Sequence, residues 1–179
     1  MKLSTKELIL CAFFAAVVVI MAQISIPLPF TTVPLTMLIF GVAVTGLILG
    51  SKLGFISVLI YLLLGAIGLP VFAKFAGGIG VLLGPTGGYL LASPLMAYIV
   101  GYAKERSSSS IVIFLGLVLG LITTYIIGTL MFSKITGNTI YQSILYCVLP
   151  FLTTDIIKLV LAYAIGTTVS KRISSSFSY

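Results

Sequence analysis

The hydrophobic residues of this chain are gathered into six long runs, separated by short segments that are polar or rich in glycine and proline. Such runs predict membrane-spanning helices, for which about 20 residues are needed. The second and third runs are shorter than that, so flanking residues must extend them, and we expect Pro34 in the first turn of the second. The runs cover residues 8–22, 35–49, 53–68, 88–102, 111–132 and 141–169.

The composition indicates a membrane protein. Of the 179 residues, 60% are hydrophobic and 7% are charged, with a mean hydropathy of +1.29, whereas about 25% of the residues of a soluble domain are charged. The length allows one compact bundle. We therefore predict an all-α membrane protein, with a single domain of six transmembrane helices over residues 1–173 and a short polar, disordered tail over residues 174–179.

The basic residues predict how the bundle is oriented. The net charge is +7, but these residues are scattered along the chain, which argues against nucleic-acid binding. With six crossings, seven basic residues lie on the side of the termini and two on the other side. The positive-inside rule then places both termini in the cytoplasm. The seven are Lys2, Lys6, Lys52, Lys104, Arg106, Lys171 and Arg172, and the two are Lys74 and Lys134.

Two unusual segments fall on the outer face in this topology. Residues 23–34 contain three prolines and no charge, and residues 69–88 contain six glycines and two prolines among mostly apolar residues. Neither segment can form a continuous lipid-facing helix. Since glycine allows the backbone to approach a ligand closely, we expect both segments to lie over a cavity.

An acid and a base interrupt the sixth run. Asp155 and Lys158 are spaced i, i+3, so they share one face of a helix and can pair. A charge at membrane depth costs roughly 2.5–3.5 kcal/mol on insertion scales. The pair is therefore either a mutually neutralised structural ion pair or the polar floor of a site for a small ligand. Asp155 lies 16 residues before Lys171, or roughly 24 Å of helix, which puts the pair beneath the two outer segments and favours a ligand site.

Several kinds of chemistry are excluded by what the chain lacks. It has no histidine, so an imidazole metal site and a histidine-dependent catalytic triad are both ruled out. The glycines and lysine over residues 46–52 resemble a phosphate-binding loop but have the wrong spacing. The other acids, Glu7 and Glu105, lie at the predicted cytoplasmic edge. We therefore predict no enzymatic activity, no metal and no cofactor.

Ala12 and Ala16 form a small-xxx-small pair in the first run. Such a pair makes a flat stripe that allows another helix to approach closely. The stripe could serve either packing inside this chain or docking of a partner, and the residues alone leave both possibilities open.

Four segments together resemble the BioY family, the biotin-specific S components of energy-coupling factor (ECF) transporters. The more specific strings are Gly-Pro-Thr-Gly-Gly-Tyr over residues 84–89 and Pro-Phe-x-x-x-Asp-x-x-Lys over residues 150–158. The resemblance also covers residues 24–36 and 62–72, and overall it extends from the first hydrophobic run to Lys171. The chain departs from the family pattern at Met37 and Leu38, where polar residues are usual, and over residues 74–76, where glycine is usual.

The resemblance implies an S-component fold, with outer-face loops capping a ligand pocket, and a high-affinity biotin-capturing subunit in a bacterial cell membrane. Asp155 would accept a hydrogen bond from a ureido N–H of biotin. Lys158 would donate to either the ureido carbonyl or the carboxylate. Apolar walls would come from Phe30, Phe72 and Tyr89, and further ligand contacts from Thr36, Gly84, Thr86, Gly87 and Gly88.

The resemblance also implies partners. A transmembrane T component and two ATPase subunits would supply the work of transport, and Ala12 and Ala16 would dock on the T component. The alternative is a self-sufficient secondary carrier for biotin or a similar small vitamin. That alternative would need a coupling-ion site or inverted repeats, and we find no repeat in the sequence.

Overall fold

The computed structural model describes residues 3–29, 31 and 33–176, and over these residues the protein is mostly helical. Two short strands and one 3₁₀ helix (Ala73–Phe75) join the α-helices. The strands are β1 (Ser25–Ile26) and β2 (Leu35–Thr36), and the helices are α1 (Thr5–Gln23), α2 (Leu38–Ala66), α3 (Ile79–Leu82), α4 (Gly87–Arg106), α5 (Ser110–Thr136), α6 (Ile140–Cys147) and α7 (Leu149–Ser176).

Within the described residues, four helices are long and apolar enough to cross a membrane: α1, α2, α5 and, over Leu149–Ser170, α7. Their mean hydropathies lie between 1.5 and 2.5. The chain is thus a helical protein suited to a multi-pass membrane location. α7 continues to Ser176, past the predicted domain end at residue 173, and residues 177–179 lie outside the described part.

α2 is two helices joined by a sharp reversal. Gly50 has φ 81° and ψ −173°, a backbone conformation that glycine adopts far more readily than other residues. A Cβ on Gly54 would lie 3.2 Å from the Cα of Gly46, although residues eight apart in a continuous helix are about 12 Å apart. The chain therefore folds back at Gly50, and the predicted second and third runs are separate helical segments.

Glu105 closes this reversal from α4. Its carboxylate accepts hydrogen bonds from the backbone N–H and the side-chain hydroxyl of Ser51, both at 2.7 Å. These bonds satisfy donors that the start of a helix would otherwise leave unpaired. A cavity at this end is lined by residues from α1, α2 and α4, among them Glu7, Lys52 and Glu105. We call this end of the bundle the Gly50 end.

The proline-rich segment forms a small antiparallel hairpin at the opposite end. Ser25 pairs with Thr36 and Ile26 with Leu35. The prediction that Pro34 lies in the first turn of a helix was wrong, because strand pairing holds the next two residues and α2 begins only at Leu38. The Thr36 hydroxyl accepts a 3.3 Å hydrogen bond from the Leu38 N–H at the start of α2.

The glycine-rich segment folds beside this hairpin, so both predicted outer segments lie at one end, which we call the cavity end. The glycine-rich segment forms only the 3₁₀ helix and the four-residue α3 before α4 begins. Lys74 and Phe75 have φ values of 60° and 57°, a left-handed conformation that is uncommon for residues other than glycine. The Gly78 N–H donates to the Gly65 carbonyl at 2.7 Å, which anchors the segment to α2.

The sixth run divides into α6 and α7. The break falls at Val148, with φ −120° and ψ −56°, directly before Leu149 and Pro150. A helix break at Pro150 was predicted, and the structure places it two residues earlier. α2 lies at the centre of the bundle, against α1, α4 and α7, and α5 packs on α4.

Candidate functional site

The predicted ion pair lies buried on α7, near the cavity end. Lys158 Nζ is 2.7 Å from Asp155 Oδ1, and only 4% of Asp155 and 6% of Lys158 is exposed. Burying two charges is costly unless they are paired and hydrogen-bonded. The i, i+3 spacing on α7 provides the pairing because it places both side chains on one face of the helix.

Tyr125 on α5 completes this cluster. Its hydroxyl donates a 2.6 Å hydrogen bond to Asp155 Oδ2, so each carboxylate oxygen has one donor. A carboxylate has about four lone-pair sites, so Asp155 can still accept further hydrogen bonds. We call Tyr125, Asp155 and Lys158 the charged cluster. Tyr125 was not predicted; a tyrosine in the middle of an apolar run was the signal that could have revealed it.

A small cavity of about 70 Å³ opens over the charged cluster. Its walls come from the segment before α2, the start of α2, α4, α5 and the α6–α7 junction. Polar and apolar side chains both contribute, so a ligand here meets a charged floor and apolar sides. The lining residues are Val33, Pro34, Thr36, Leu38, Ile39, Tyr89, Tyr125, Cys147, Phe151, Asp155 and Lys158.

A larger cavity of about 220 Å³ adjoins the small one. Both cavities are smaller than the roughly 300–1,000 Å³ of a typical small-molecule site, which suits a compact ligand extending through both. Five residues line both cavities: Val33, Pro34, Thr36, Leu38 and Tyr89. The larger one is otherwise lined by Ala22, Tyr61, Phe72, Ala73, Lys74, Ala76, Val81, Thr86 and Leu90.

Phe72 and Tyr61 form an aromatic wall of the larger cavity. Their rings pack edge to face, with centroids 5.5 Å apart and an interplanar angle of 82°. The Phe72 ring lies directly on the backbone at Gly65, where a Cβ would clash with it. Among the described residues, the buried Tyr61 hydroxyl has no hydrogen-bond partner.

Tyr89 lines both cavities. Its hydroxyl lies 3.2 Å from Thr129 Oγ1, and its ring rests against Gly128 on α5, where a side chain would collide with it. The orientation of Tyr89 is therefore fixed from α5 by one hydrogen bond and by the absence of a side chain at Gly128.

Gln23, at the end of α1, holds the segment that covers the larger cavity. Its Nε2 donates to the carbonyls of Val71 and Phe72, both at 3.0 Å, and its Oε1 accepts from the Phe75 N–H at 3.0 Å. One amide side chain therefore connects residues on both sides of Lys74 to α1.

Six of the predicted ligand residues line the two cavities, and three lie elsewhere. The three glycines do not line either cavity. A Cβ on Gly87 would collide with the Leu82 carbonyl and one on Gly88 would approach α5, while Gly84 lies against the carbonyls of Gly80 and Val81, so these glycines allow close packing. Phe30 lies outside the described residues. The six cavity residues are Thr36, Phe72, Thr86, Tyr89, Asp155 and Lys158.

Other cavity residues were missed by the sequence reasoning. Pro34 was expected in the first turn of a helix, Tyr61 lay inside an apolar run, and Leu38 and Lys74 were noted as departures from the family pattern and not as ligand contacts. Their roles depend on how distant segments pack, which periodicity along the chain does not reveal.

Ala12 and Ala16 lie on a different surface. Both are exposed on α1, whereas the neighbouring Ala15 is buried against the bundle. The small-residue stripe is therefore not covered by the rest of this chain.

The arrangement is suited to binding a small molecule rather than to catalysis or metal binding. The charged cluster offers a carboxylate acceptor and an ammonium donor at the bottom of an apolar cavity, which can orient a ligand with both donors and acceptors. Among the described residues, no group of three or more cysteine, aspartate or glutamate side chains could hold a metal ion.

Comparisons with known proteins show what this chain is similar to. A model of the BioY family matches residues 1–175. The chain is 42% identical over 164 residues to a probable biotin transporter BioY from Pyrococcus horikoshii, covering 92% of this chain and 96% of that protein. It is 40% identical over 166 residues to a biotin transporter BioY from Thermotoga maritima, covering 93% and 96% respectively.

The fold of this chain is similar to that in a crystal structure of the S-component for biotin from an ECF-type ABC transporter. The TM-score is 0.86 at 29% sequence identity, and the match covers 95% of each chain.

Proposed function

This chain belongs to the BioY family, and from that membership and the site geometry we propose that it is a biotin-capturing S component of an ECF-type transporter. The family consists of transporter components rather than enzymes. The observation that supports the assignment most strongly is the charged cluster, buried beneath the smaller of two adjoining cavities at one end of the bundle.

The chemistry of biotin suits this site. Its ureido ring has two N–H donors and one carbonyl acceptor, and Asp155 and Lys158 offer the complementary acceptor and donor. The remaining lone pairs of Asp155 accept from the ureido N–H groups, and the aromatic wall of Phe72 and Tyr61 packs against apolar parts of the ligand.

We propose six membrane crossings with both termini in the cytoplasm. They are α1, the two halves of α2, α4, α5, and α6 together with α7. The reversal at Gly50 supports counting α2 twice, and the excess of lysine and arginine supports the orientation. In this orientation the cavity end faces outward and receives biotin from outside the cell.

Transport work comes from partners in this proposal. The chain has no nucleotide-binding loop, so a T component and two ATPase subunits would reorient the loaded protein. A conformational shift requires an interaction that differs between the two states, and the exposed stripe of Ala12 and Ala16 offers a surface for that interaction.

Titration of biotin into the purified chain in detergent tests the assignment. Asp155→Asn removes the carboxylate and is expected to abolish detectable binding. Because Lys158 would then be buried without its partner, which typically destabilises a protein by about 3–5 kcal/mol, the double variant Asp155→Asn with Lys158→Met is measured as well. It removes both charges and is also expected not to bind.

Glu7→Gln is the matched control, since it removes one carboxylate at the Gly50 end, and glutamine also serves in the capping box that Ser4 and Glu7 form. We expect this control variant to bind biotin with wild-type affinity. Wild-type affinity in the folded double variant would refute the role of the charged cluster.

Uptake into proteoliposomes separates the proposal from a secondary carrier. We expect the chain to require its ATPase partners and ATP. Biotin accumulation by the chain alone, abolished by a protonophore, would instead establish a self-sufficient carrier.

A further inference from the structure

The two adjoining cavities differ in charge. In the small cavity, Asp155 and Lys158 neutralise each other at 2.7 Å. The larger cavity has no acidic side chain in its lining, and among the described residues Lys74 is its one charged side chain. The joined site therefore has a neutral, hydrogen-bonding end and a cationic end.

Lys74 is held at the larger cavity by an unusual backbone. Lys74 and Phe75 are both left-handed, with φ 60° and 57°, a conformation that L-residues with a Cβ disfavour. Gln23 fixes the chain on both sides of Lys74 through the Phe72 carbonyl and the Phe75 N–H, each at 3.0 Å. The Phe72 N–H also donates to the Ala76 carbonyl at 2.9 Å, closing a tight loop around Lys74.

Strained backbone that is held by its surroundings is common at ligand sites. In this loop the constraint has a definite consequence, because it keeps the base of the Lys74 side chain at the cavity wall. The side chain itself is exposed, so its ammonium group can reach a ligand atom at the mouth of the cavity.

We propose that Lys74 contacts the carboxylate of the bound ligand and makes the site select a free acid over its neutral derivatives. This inference rests on the proposed biotin function and assigns the orientation of the ligand. The ureido ring lies at the charged cluster, and the valerate tail extends through the larger cavity towards Lys74.

The reverse orientation is electrostatically poorer. A ligand carboxylate at the charged cluster would lie beside the Asp155 carboxylate, and Lys158 is already paired with that group. Two like charges in a buried site repel strongly. At the same time the ureido N–H groups would lie in a cavity whose lining contains no carboxylate acceptor.

A comparison of biotin with biotinamide tests the inference, because the amide keeps the ring and the tail but has no negative charge. Lys74→Gln is expected to weaken biotin binding roughly tenfold, as for the loss of a charge-assisted hydrogen bond near the surface. Biotinamide is neutral and has no carboxylate to pair with Lys74, so its affinity for this variant is expected to change less than about twofold. Lys74→Arg retains the charge and is expected to keep the preference for the acid.

Lys134→Gln is the matched control, since it removes one exposed lysine from α5 and lines neither cavity. It is expected to leave both affinities unchanged. Equal weakening of acid and amide in Lys74→Gln, or no change in either, would overturn the inference while leaving biotin capture intact. Wild-type protein that binds neither ligand would overturn the proposed function itself.

Discussion

A carboxylate buried in a membrane protein requires hydrogen-bond donors. Asp155 has Lys158 on its own helix and Tyr125 on α5, at 2.7 and 2.6 Å. The sequence predicted the first partner because two charges in an apolar run are conspicuous and their spacing fixes a shared face. It did not predict the second, because that contact depends on how α5 and α7 pack.

Removing the Tyr125 hydroxyl tests its role as a positioning group. Tyr125→Phe keeps the ring and removes one hydrogen bond to a charged group, which contributes about 1.5–3 kcal/mol. We expect biotin affinity to fall roughly tenfold because the Asp155 carboxylate is no longer held in one orientation. Isothermal titration in detergent measures the change.

Tyr163→Phe is the control for this experiment. The Tyr163 hydroxyl also donates to a side chain, Ser110 Oγ at 2.7 Å, but Tyr163 lines neither cavity. Unchanged biotin affinity in Tyr125→Phe would show that Asp155 needs only Lys158 to be positioned.

At the scale of elements, the runs of apolar residues predicted where helices form better than how they join. The predicted boundary near Gly50 is a true reversal, which φ 81° makes possible. The hairpin of β1 and β2 was not predicted, because it depends on pairing between two segments, and the break predicted at Pro150 lies two residues earlier, at Val148. The glycines over residues 84–88 were predicted as ligand contacts; Gly87 and Gly88 allow close packing at the start of α4, and none of the three glycines lines either cavity.

The reversal in α2 should be sensitive to a single methyl group. Gly50→Ala must adopt a positive-φ, extended backbone that is essentially restricted to glycine, which costs of order 1–3 kcal/mol, and its Cβ collides with the Glu105 carboxylate. We expect a lower melting temperature in detergent.

Gly80→Ala is the control, since no atom lies within 4 Å of its added Cβ, and it is expected not to lower stability. Equal melting temperatures for Gly50→Ala and the wild type would contradict this account of the turn.

At the scale of the molecule, the two ends of the bundle have different roles. The cavity end contains the charged cluster and the aromatic wall, and at the Gly50 end Glu105 joins α4 to α2. Composition and charge were sufficient to predict a helical membrane protein. The shape of the binding site was not predictable, since its walls come from segments far apart in the sequence.

The exposed stripe on α1 predicts that capture and transport can be separated. Ala12→Trp or Ala16→Trp adds bulk on an exposed face without touching either cavity, so biotin affinity should stay at the wild-type value. Uptake with the T component and ATPases should be lost because the close approach of helices requires small residues.

Ile122→Trp adds similar bulk at an exposed position on α5 and is expected to keep uptake. Loss of biotin binding in the alanine variants would instead show that the stripe supports the fold of this chain.

The most direct test of the central claim is an experimental structure of the chain saturated with biotin. We expect one biotin molecule extending through the two cavities, with its ureido ring within hydrogen-bond distance of Asp155. Biotin bound elsewhere, with both cavities vacant, would contradict the proposed role of the charged cluster.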